Sequence, residues 1–540
     1  MLRTLRRRTL LTATGSSLAI RSAAAQTPVT DTAAGPVRGR AVSGVQAFMG
    51  IPYAAPALGD LRYASPRPTR HWAEALDATR PGPASIQTLG GAAAWLYEGA
   101  EPQGEDCLYL NVWTPDLAGR RPVMVWLHGG AWRTGRGDAA GTIGAALAAR
   151  GDVVVVTINY RLGALGWLAH PALADAQTGA FANWGLQDQI AALRWVKANI
   201  AAFGGDPACV TAFGQSAGGS SVASIAGDPR YAPLLQGAII ESGSLHGAPA
   251  FPEPPSAAAY AEALAKKLEV TVPGLRSVPA LVLHRAELDL ARNPLMVRSL
   301  GRPPVLPVLD GVVLKTWPRD GQLAPVPLLI GTTRTEATFW YDLIAPDGGR
   351  VPGLTPPSSR QQLVRYIGDL MANYRPEAQD IAPERIADAY GSAARGRGEP
   401  DDPLSLWIAC YTDIVFRLRA RSAAVRHAAS GQPATLYEFA RPILPPAHGV
   451  PHTAEIPFVF GTYADPFFAD KSGTGPDAAA LSAELVRAWS RFAHTGMPGG
   501  GWAKVDGAVP PVNVLGGPRG LLAIETRIRD EDSAVWDRKI

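Results

Sequence analysis

The sequence lacks the features that mark several classes of protein. Its 540 residues include only three cysteines, Cys107, Cys209 and Cys410, and this small, odd number excludes a disulfide framework. No Cys/His cluster has the spacing of a zinc site, and the sequence contains no internal repeat. Beyond the N-terminal region there is no run of about 18 apolar residues, so the sequence predicts no integral membrane segment.

Charge is scarce as well. Asp, Glu, Lys and Arg make up 18% of the chain, a share too low for a disordered polyelectrolyte. The formal net charge of +4 is smaller than the contribution of the five arginines within residues 1–25, where no acidic residue occurs. The rest of the chain is therefore slightly acidic, and no basic patch predicts a nucleic-acid partner.

The N-terminus has the order of an export signal. Arginines precede the apolar stretch Thr9–Ile20, which is followed by the small residues Ala23–Ala25. The segment Arg7–Leu11 also resembles a twin-arginine signal. We expect residues 1–25 to be a signal peptide, residues 26–540 to form a single domain, and the protein to be periplasmic or secreted. A mitochondrial-type or merely disordered basic terminus is the alternative.

Short apolar, β-branched runs alternate with longer helical patterns in the rest of the sequence. Val123–Leu127 and Val153–Ile158 are continuous apolar runs, which are typical of buried parallel strands. Leu186–Phe203 carries apolar residues at helical spacing. A further helix is predicted at Leu481–Phe492, and further strands at Cys209–Phe213, Gly237–Ile240, Pro327–Ile330 and Ala434–Phe439. This alternation predicts an α/β fold with a doubly wound, mostly parallel sheet.

One turn in this pattern suits a nucleophile. Residues 214–218 read Gly-Gln-Ser-Ala-Gly, between the strand Cys209–Phe213 and a small-residue helix at Ala217–Ala226. A nucleophile on a sharp strand-to-helix turn needs glycine on both sides, because the backbone there is strained and crowded. The helix N-terminus also directs positive dipole towards developing negative charge. Ser216 is the candidate nucleophile, and a turn that only packs a helix on a sheet is the alternative.

A second glycine-rich turn suits an oxyanion hole. Residues 128–132, His-Gly-Gly-Ala-Trp, follow the strand Val123–Leu127. Attack by serine on an ester creates an oxyanion, which preorganised backbone N–H groups must stabilise. The candidates are the N–H groups of Gly130, Ala131 and Ala217. We expect His128 to be structural.

Several longer segments form a further ordered pattern, which runs from about residue 35 to about residue 505: Gly50–Ala54, Glu105–Val112, Asn183–Gln189, Phe203–Pro207 and Phe492–Pro498. These segments resemble the type-B carboxylesterase/lipase family, which includes bacterial carboxylesterases, nitrobenzyl esterases and cholinesterases. The resemblance implies an α/β-hydrolase fold with helical insertions around an active-site gorge. It also implies a serine carboxylic-ester hydrolase that works through a Ser-His-Glu triad and an acyl-enzyme.

The resemblance supplies the other two members of the triad. The family's G-T-T-x-x-E loop corresponds to Gly331–Glu336, which makes Glu336 the acid. The alternative acid, Asp310, resembles a structural turn. The family's histidine precedes E-x-P-F-V-F-G by three residues, and Glu455–Gly461 sets that register, so His452 is the base. His448 is the alternative.

Three departures from the family pattern carry expectations. Gln215 stands where most members have Glu, which predicts a changed pH profile and weakens the case for cationic choline esters. Cys107 should lack the partner of the family's N-terminal disulfide, because residues 84–87 contain no cysteine. The oxyanion turn has Ala131 where the family has a third glycine, and the N–H donor survives that change. Glu105 and Arg161 resemble a structural ion pair of the family.

The resemblance implies no metal and no cofactor. We expect a small-molecule ester substrate with an apolar group. Trp95, Trp132 and Phe339 are candidates to line the entrance, although aromatic residues are as often part of the core. A lipase, an amide or carbamate hydrolase, and a non-catalytic adhesion or binding module are the alternatives. The sequence does not indicate the oligomeric state.

Overall fold

The computed structural model of the chain describes residues 27–90, 96–97, 102–243, 245–246, 250–291, 305–317, 323–343, 354–444, 449–526 and 534–536. Three predicted features lie outside these residues: the signal segment 1–25, Trp95 and His448.

One large mixed sheet forms the centre of the fold. Its eleven strands within the described chain are β1 (Arg40–Val42), β2 (Val45–Pro52), β3 (Tyr109–Thr114), β4 (Arg121–Leu127), β5 (Val154–Ile158), β6 (Gly205–Gln215), β7 (Gly237–Glu241), β8 (Leu328–Thr333), β9 (Ala434–Phe439), β10 (Val512–Gly517) and β11 (Gly520–Glu525). Their order across the sheet is β11-β10-β9-β8-β7-β6-β4-β5-β3-β2-β1. Strands β4 to β10 pair in parallel, and antiparallel strands flank them on both sides. Two small sheets contain Val29–Thr32, Gly35–Arg38 and Leu76–Asp77 in one case, and Ala84–Ser85 and Gln103–Gly104 in the other.

Helices connect and cover these strands. They are α1 (Ala145–Gly151), α2 (Gly163–Trp167), α3 (Trp184–Asn199), α4 (Ala217–Ala226), α5 (Pro254–Lys267), α6 (Ala280–Ala291), α7 (Thr338–Tyr341), α8 (Arg360–Tyr374), α9 (Pro383–Arg397), α10 (Pro403–Thr412), α11 (Leu418–Ala429), α12 (Ile456–Phe460), α13 (Pro466–Ser472) and α14 (Pro476–Thr495). A short π-helix, Asp413–Arg417, joins α10 to α11. Among the described residues, no helix is long and apolar enough to cross a bilayer.

The predicted strands and helices all occur in the structure, with small changes in their bounds. A difference in type is found at Leu186–Phe203, which was expected to be one helix. It is α3 followed by a 3₁₀ turn at Ile200–Phe203. The turn ends at Gly204, whose φ of +74° suits glycine.

Strand β4 shows why its sequence is apolar throughout. Val123, Val125 and Leu127 are buried in the core on one face of the sheet, and Met124 and Trp126 are buried in the core on the other. Successive side chains of a strand point to opposite faces, so a parallel strand covered on both sides must be apolar at every position.

The carboxyl ends of the parallel strands bring the predicted site residues to one edge of the sheet. Ser216 directly follows β6, Gly130 lies three residues after β4, and Glu336 lies three residues after β8. His452 comes from the longer segment after β9. Ligand sites of open α/β sheets form at this edge.

Candidate active site

Ser216 occupies the sharp turn between β6 and α4. Its φ of +59° and ψ of −121° are unusual for a residue with a side chain, and its backbone N–H donates to the Glu241 carbonyl at 2.8 Å. The turn depends on glycine, since a Cβ on Gly218 would lie 1.9 Å from the Leu127 carbonyl oxygen. The strand–turn–helix setting predicted for residues 214–218 is therefore present, and it leaves Ser216 half-buried.

His452 and Glu336 form a buried hydrogen-bonded pair. The Nδ1–H of His452 donates to Glu336 Oε2 at 2.6 Å. The other carboxylate oxygen, Oε1, accepts from the Ser242 hydroxyl at 2.7 Å and from the Thr333 N–H at 2.8 Å. These bonds fix the carboxylate, which in turn fixes the plane and the tautomer of the imidazole.

The second imidazole nitrogen meets Gln215. Nε2 of Gln215 lies 3.1 Å from Nε2 of His452, and both side chains are buried. Because Nδ1 carries the proton, the amide donates and Nε2 accepts. Within the described chain, no hydrogen bond joins the Ser216 hydroxyl to the imidazole, a contact that is often loose without substrate.

The predicted oxyanion turn and the first residue of α4 present N–H groups that make no other hydrogen bond within the described chain. Gly130 and Ala131 have φ values of +104° and +53°. A Cβ on Gly130 would lie 2.2 Å from the Thr134 carbonyl oxygen, so this position requires glycine. In the described part of the chain, the N–H groups of Gly130, Ala131 and Ala217 donate to no other group. They are available to bind an oxygen that develops negative charge.

His128 is structural, as expected. Its Nδ1–H donates to the Gly129 carbonyl at 2.9 Å, and its ring stacks on Tyr160 with centroids 4.2 Å apart. Burial lowers the pKa of His128 to about 4, so it is neutral at physiological pH.

Aromatic rings surround the imidazole of His452. The ring centroids of Trp340, Phe416 and Phe339 lie 4.8, 5.1 and 5.8 Å from that of His452. Phe339 was a candidate from the sequence, whereas Trp340 and Phe416 were missed. Trp340 follows Glu336 by only four residues, and this proximity in sequence could have predicted its position. Phe416 belongs to the π-helix and lies beside His452 only because of tertiary packing.

Trp132 belongs to the core. It is 4% exposed, its indole N–H donates to Ser221 Oγ at 3.1 Å, and its ring packs against Trp167 and Phe251. The sequence left open whether Trp132 lines the entrance or belongs to the core, and the structure places it in the core.

Asp310 forms a turn, as expected. Its Oδ1 accepts hydrogen bonds from the N–H groups of three residues, Val312, Val313 and Leu314. A carboxyl used in this way closes a loop, and nothing places it beside His452.

The expected ion pair of Glu105 with Arg161 is wrong. Glu105 pairs with Arg62, and Arg161 makes a buried two-point contact with Asp188 of α3 at 2.7 and 2.8 Å. Asp188 faces the end of β5 from the second turn of its helix and offers a bidentate partner that Arg favours.

The three cysteines, all of them described, form no disulfide. Cys107 is fully buried, and burial raises the pKa of its thiol to about 12. It lacks the partner of the family's N-terminal disulfide, as the sequence led us to expect.

Known proteins resemble both the chain and its fold. The model of the family described as carboxylesterase family matches residues 26–530. The para-nitrobenzyl esterase of Bacillus subtilis (strain 168) is 35% identical over 482 residues, covering 86% of this chain and 89% of that protein. The phenmedipham hydrolase of Pseudarthrobacter oxydans is 33% identical over 484 residues, covering 87% and 90%. A solved thermophilic PNB esterase superposes with a TM-score of 0.77 at 32% identity, covering 94% of this chain and 99% of that one.

The fold is that of the α/β-hydrolases, and with the site it defines the class of serine-dependent ester hydrolases. The family match spans almost the whole chain, and relatives more than 30% identical cover over four fifths of it. The chain therefore belongs to the carboxylesterase family, and its reaction is the hydrolysis of carboxylic esters.

Proposed function

We propose that Ser216, His452 and Glu336 are the triad through which this chain hydrolyses carboxylic esters. The observation that carries the proposal is the buried His452–Glu336 pair, held at 2.6 Å, whose imidazole lies beside the sharp turn that presents Ser216.

Each residue has one role. Ser216 Oγ attacks the ester carbonyl carbon while His452 Nε2 takes the hydroxyl proton. His452 then returns this proton to the leaving alcohol oxygen, and the acyl group stays on Ser216. Water next attacks the acyl carbon as it gives up a proton to His452. His452 passes that proton to Ser216 Oγ as the bond from Oγ to the acyl carbon breaks, which frees the acid and restores the serine. Glu336 orients the imidazole and stabilises its charged form without taking a proton itself.

The N–H groups of Gly130, Ala131 and Ala217 bind the oxyanion of each tetrahedral intermediate. The role is supported because these groups donate to no other acceptor among the residues that the structure describes. Removing one such donor typically costs about 3 kcal/mol of transition-state stabilisation.

The aromatic rings beside His452 support an ester with an apolar group. Trp340, Phe339 and Phe416 would pack against such a group and exclude water from the carbonyl. Activity on a series of acyl esters should therefore rise from acetyl to longer chains; an enzyme that prefers charged acyl groups would contradict this part of the proposal.

We also propose that residues 1–25 direct export and that residues 26–540 are a single catalytic domain, periplasmic or secreted. The support is the order of arginines, apolar residues and alanines before Gln26.

Alanine variants of the triad test the proposal. Ser216→Ala should retain the fold, seen by circular dichroism, and lose ester hydrolysis by about 10⁴-fold or more, since nucleophile and base act as a unit. His452→Ala should lose activity to a similar degree.

His448→Ala is the matched control, because it removes a histidine only four residues away. It should keep activity within severalfold of the unchanged protein. If His448→Ala is inactive and His452→Ala active, the register of the base is wrong. Appreciable turnover by Ser216→Ala would remove the nucleophile from the mechanism.

A further inference from the structure

The side chain of Gln215 is directed at the imidazole. Gln215 is 1% exposed, and its Nε2 lies 3.1 Å from Nε2 of His452. The other imidazole nitrogen already donates its proton to Glu336. Gln215 therefore contacts the one nitrogen that, in the proposed mechanism, takes the proton of Ser216.

The backbone carbonyl and the amide oxygen of Gln215 both pack against Gly129 of the oxyanion turn. A Cβ on Gly129 would lie 2.7 Å from the Gln215 carbonyl oxygen and 2.8 Å from its Oε1, so the two residues fit only because position 129 is glycine. Gln215, Gly129 and Gly130 also line a partly open cavity of about 30 Å³. That exceeds the roughly 10–15 Å³ that one water needs, so unfilled space lies beside Gln215.

An amide can serve both protonation states of an imidazole. Its NH₂ group donates to the lone pair of the neutral ring, whereas its oxygen accepts from the N–H of the charged ring. In the observed orientation, two donors would face each other once His452 gains a proton. Turning the Gln215 amide over by about 180° replaces that repulsion with a hydrogen bond.

We propose that Gln215 is a positioning residue of the reaction, whose amide turns over as the proton arrives on and leaves His452. This inference rests on the proposed triad. The proton passes from Ser216 Oγ to His452 Nε2 and on to the leaving alcohol, and Gln215 neither gains nor loses one. Because the amide can form a hydrogen bond with either form of the ring, it holds the imidazole in place during the proton transfer.

Titratable and charged groups surround this contact on both sides: they are Glu336, Glu241, Glu455 and Tyr437 on the side of Glu336, and Tyr97, His128 and Arg136 on the walls of the cavity that Gln215 lines. Glu336 is bonded to Nδ1 of His452, and Glu241 and Glu455 are buried beside Glu336. Burial raises the pKa of Glu241 to about 8 and that of Glu455 well above its usual range. Both are therefore largely uncharged at pH 7, and a carboxylate at position 215 would add a new charge next to the imidazole.

Two substitutions by side chains of nearly the same length as glutamine test the donor and the acceptor function of the amide separately. Gln215→Glu can only accept, so it should favour the charged ring and move the acid limb of the kcat/KM profile to higher pH by about one unit. The side chain introduced by Gln215→Met can neither donate a hydrogen bond to the imidazole nor accept a strong one from it. It should lower kcat about fivefold, the value of roughly one hydrogen bond, and leave the acid limb in place.

Each outcome decides the question. If the acid limb moves to higher pH in Gln215→Met, the amide acts only as a donor to the neutral ring. That result would refute the proposed rotation of the amide. Unchanged kcat and pH profile in both variants would remove the role altogether. Gln187→Met, on α3 away from His452, is the matched control and should change neither. The proposed triad is tested separately, because activity in Ser216→Ala or His452→Ala would refute it whatever the Gln215 variants do.

Discussion

Among single residues, Glu241 and Glu455 are the least expected. Glu241 ends β7 and is completely buried, and one of its oxygens accepts from the Trp489 indole N–H at 2.7 Å. In the described part of the chain, its second oxygen and both oxygens of Glu455 have no hydrogen-bond partner. Burial raises the pKa of both carboxyls. Two acids that hold their protons in the core leave a pH signature on stability.

That signature has a definite sign. Below the ordinary Glu pKa of about 4.5, Glu241 is protonated in both the folded and the unfolded chain, and its contribution to stability is fully present. Between about 4.5 and its folded pKa of about 8, only the unfolded chain releases the proton. This contribution to the free energy of unfolding should therefore fall by about 1 kcal/mol per pH unit across that window.

Urea unfolding of the unchanged protein and Glu241→Gln at several values between pH 5 and pH 8 measures the effect. The difference in unfolding free energy between the two should decline as pH rises, since the amide cannot ionise. A constant difference would show that Glu241 is ionised in the folded chain at pH 5.

The elements show how little space the site allows. Helix α4 packs so closely on β4 that a Cβ at Gly218 would lie 1.9 Å from the Leu127 carbonyl oxygen, a backbone atom that cannot move alone. Gly218→Ala should therefore displace α4, cost about 3 kcal/mol or more of stability, and abolish activity.

Gly396 provides the contrast within the same chain. It lies inside α9, and a Cβ there would meet nothing within 4 Å. Gly396→Ala should raise stability by about 0.5–1 kcal/mol through helix propensity and leave activity unchanged. Thermal unfolding of both variants tests the pair. Equal losses of stability in the two variants would mean that close packing at the turn between β6 and α4 is not the reason for glycine at position 218.

How far the sequence predicts the fold depends on the range of the interactions involved. Strand β4 was predictable because burial on both faces imposes an unbroken apolar run. The ion pair of Arg161 could not be predicted, because Asp188 becomes its partner only through the packing of α3 on the sheet. The place of Phe416 beside His452 depends in the same way on the irregular π-helix, for which no sequence pattern was available.

At the scale of the whole molecule, the proposed export signal can be tested apart from catalysis. Arg7→Lys with Arg8→Lys keeps the charge but changes the paired arginines. In a bacterial host with twin-arginine export, activity should move from the periplasmic to the cytoplasmic fraction. Arg3→Lys with Arg6→Lys is the matched control and should leave the distribution unchanged. Equal distributions for both pairs would contradict a twin-arginine signal.

The spread of the site along the chain bears on how the protein acquires activity. His452 meets Glu336 across 116 residues and Gln215 across 237. Contacts so distant in sequence form late and slowly, because the entropy of closing long loops must be overcome first. The imidazole can reach both partners only after β6 to β9 have assembled. The return of esterase activity during refolding therefore reports completion of the whole sheet, and an N-terminal fragment that ends before residue 452 should remain inactive however well it folds.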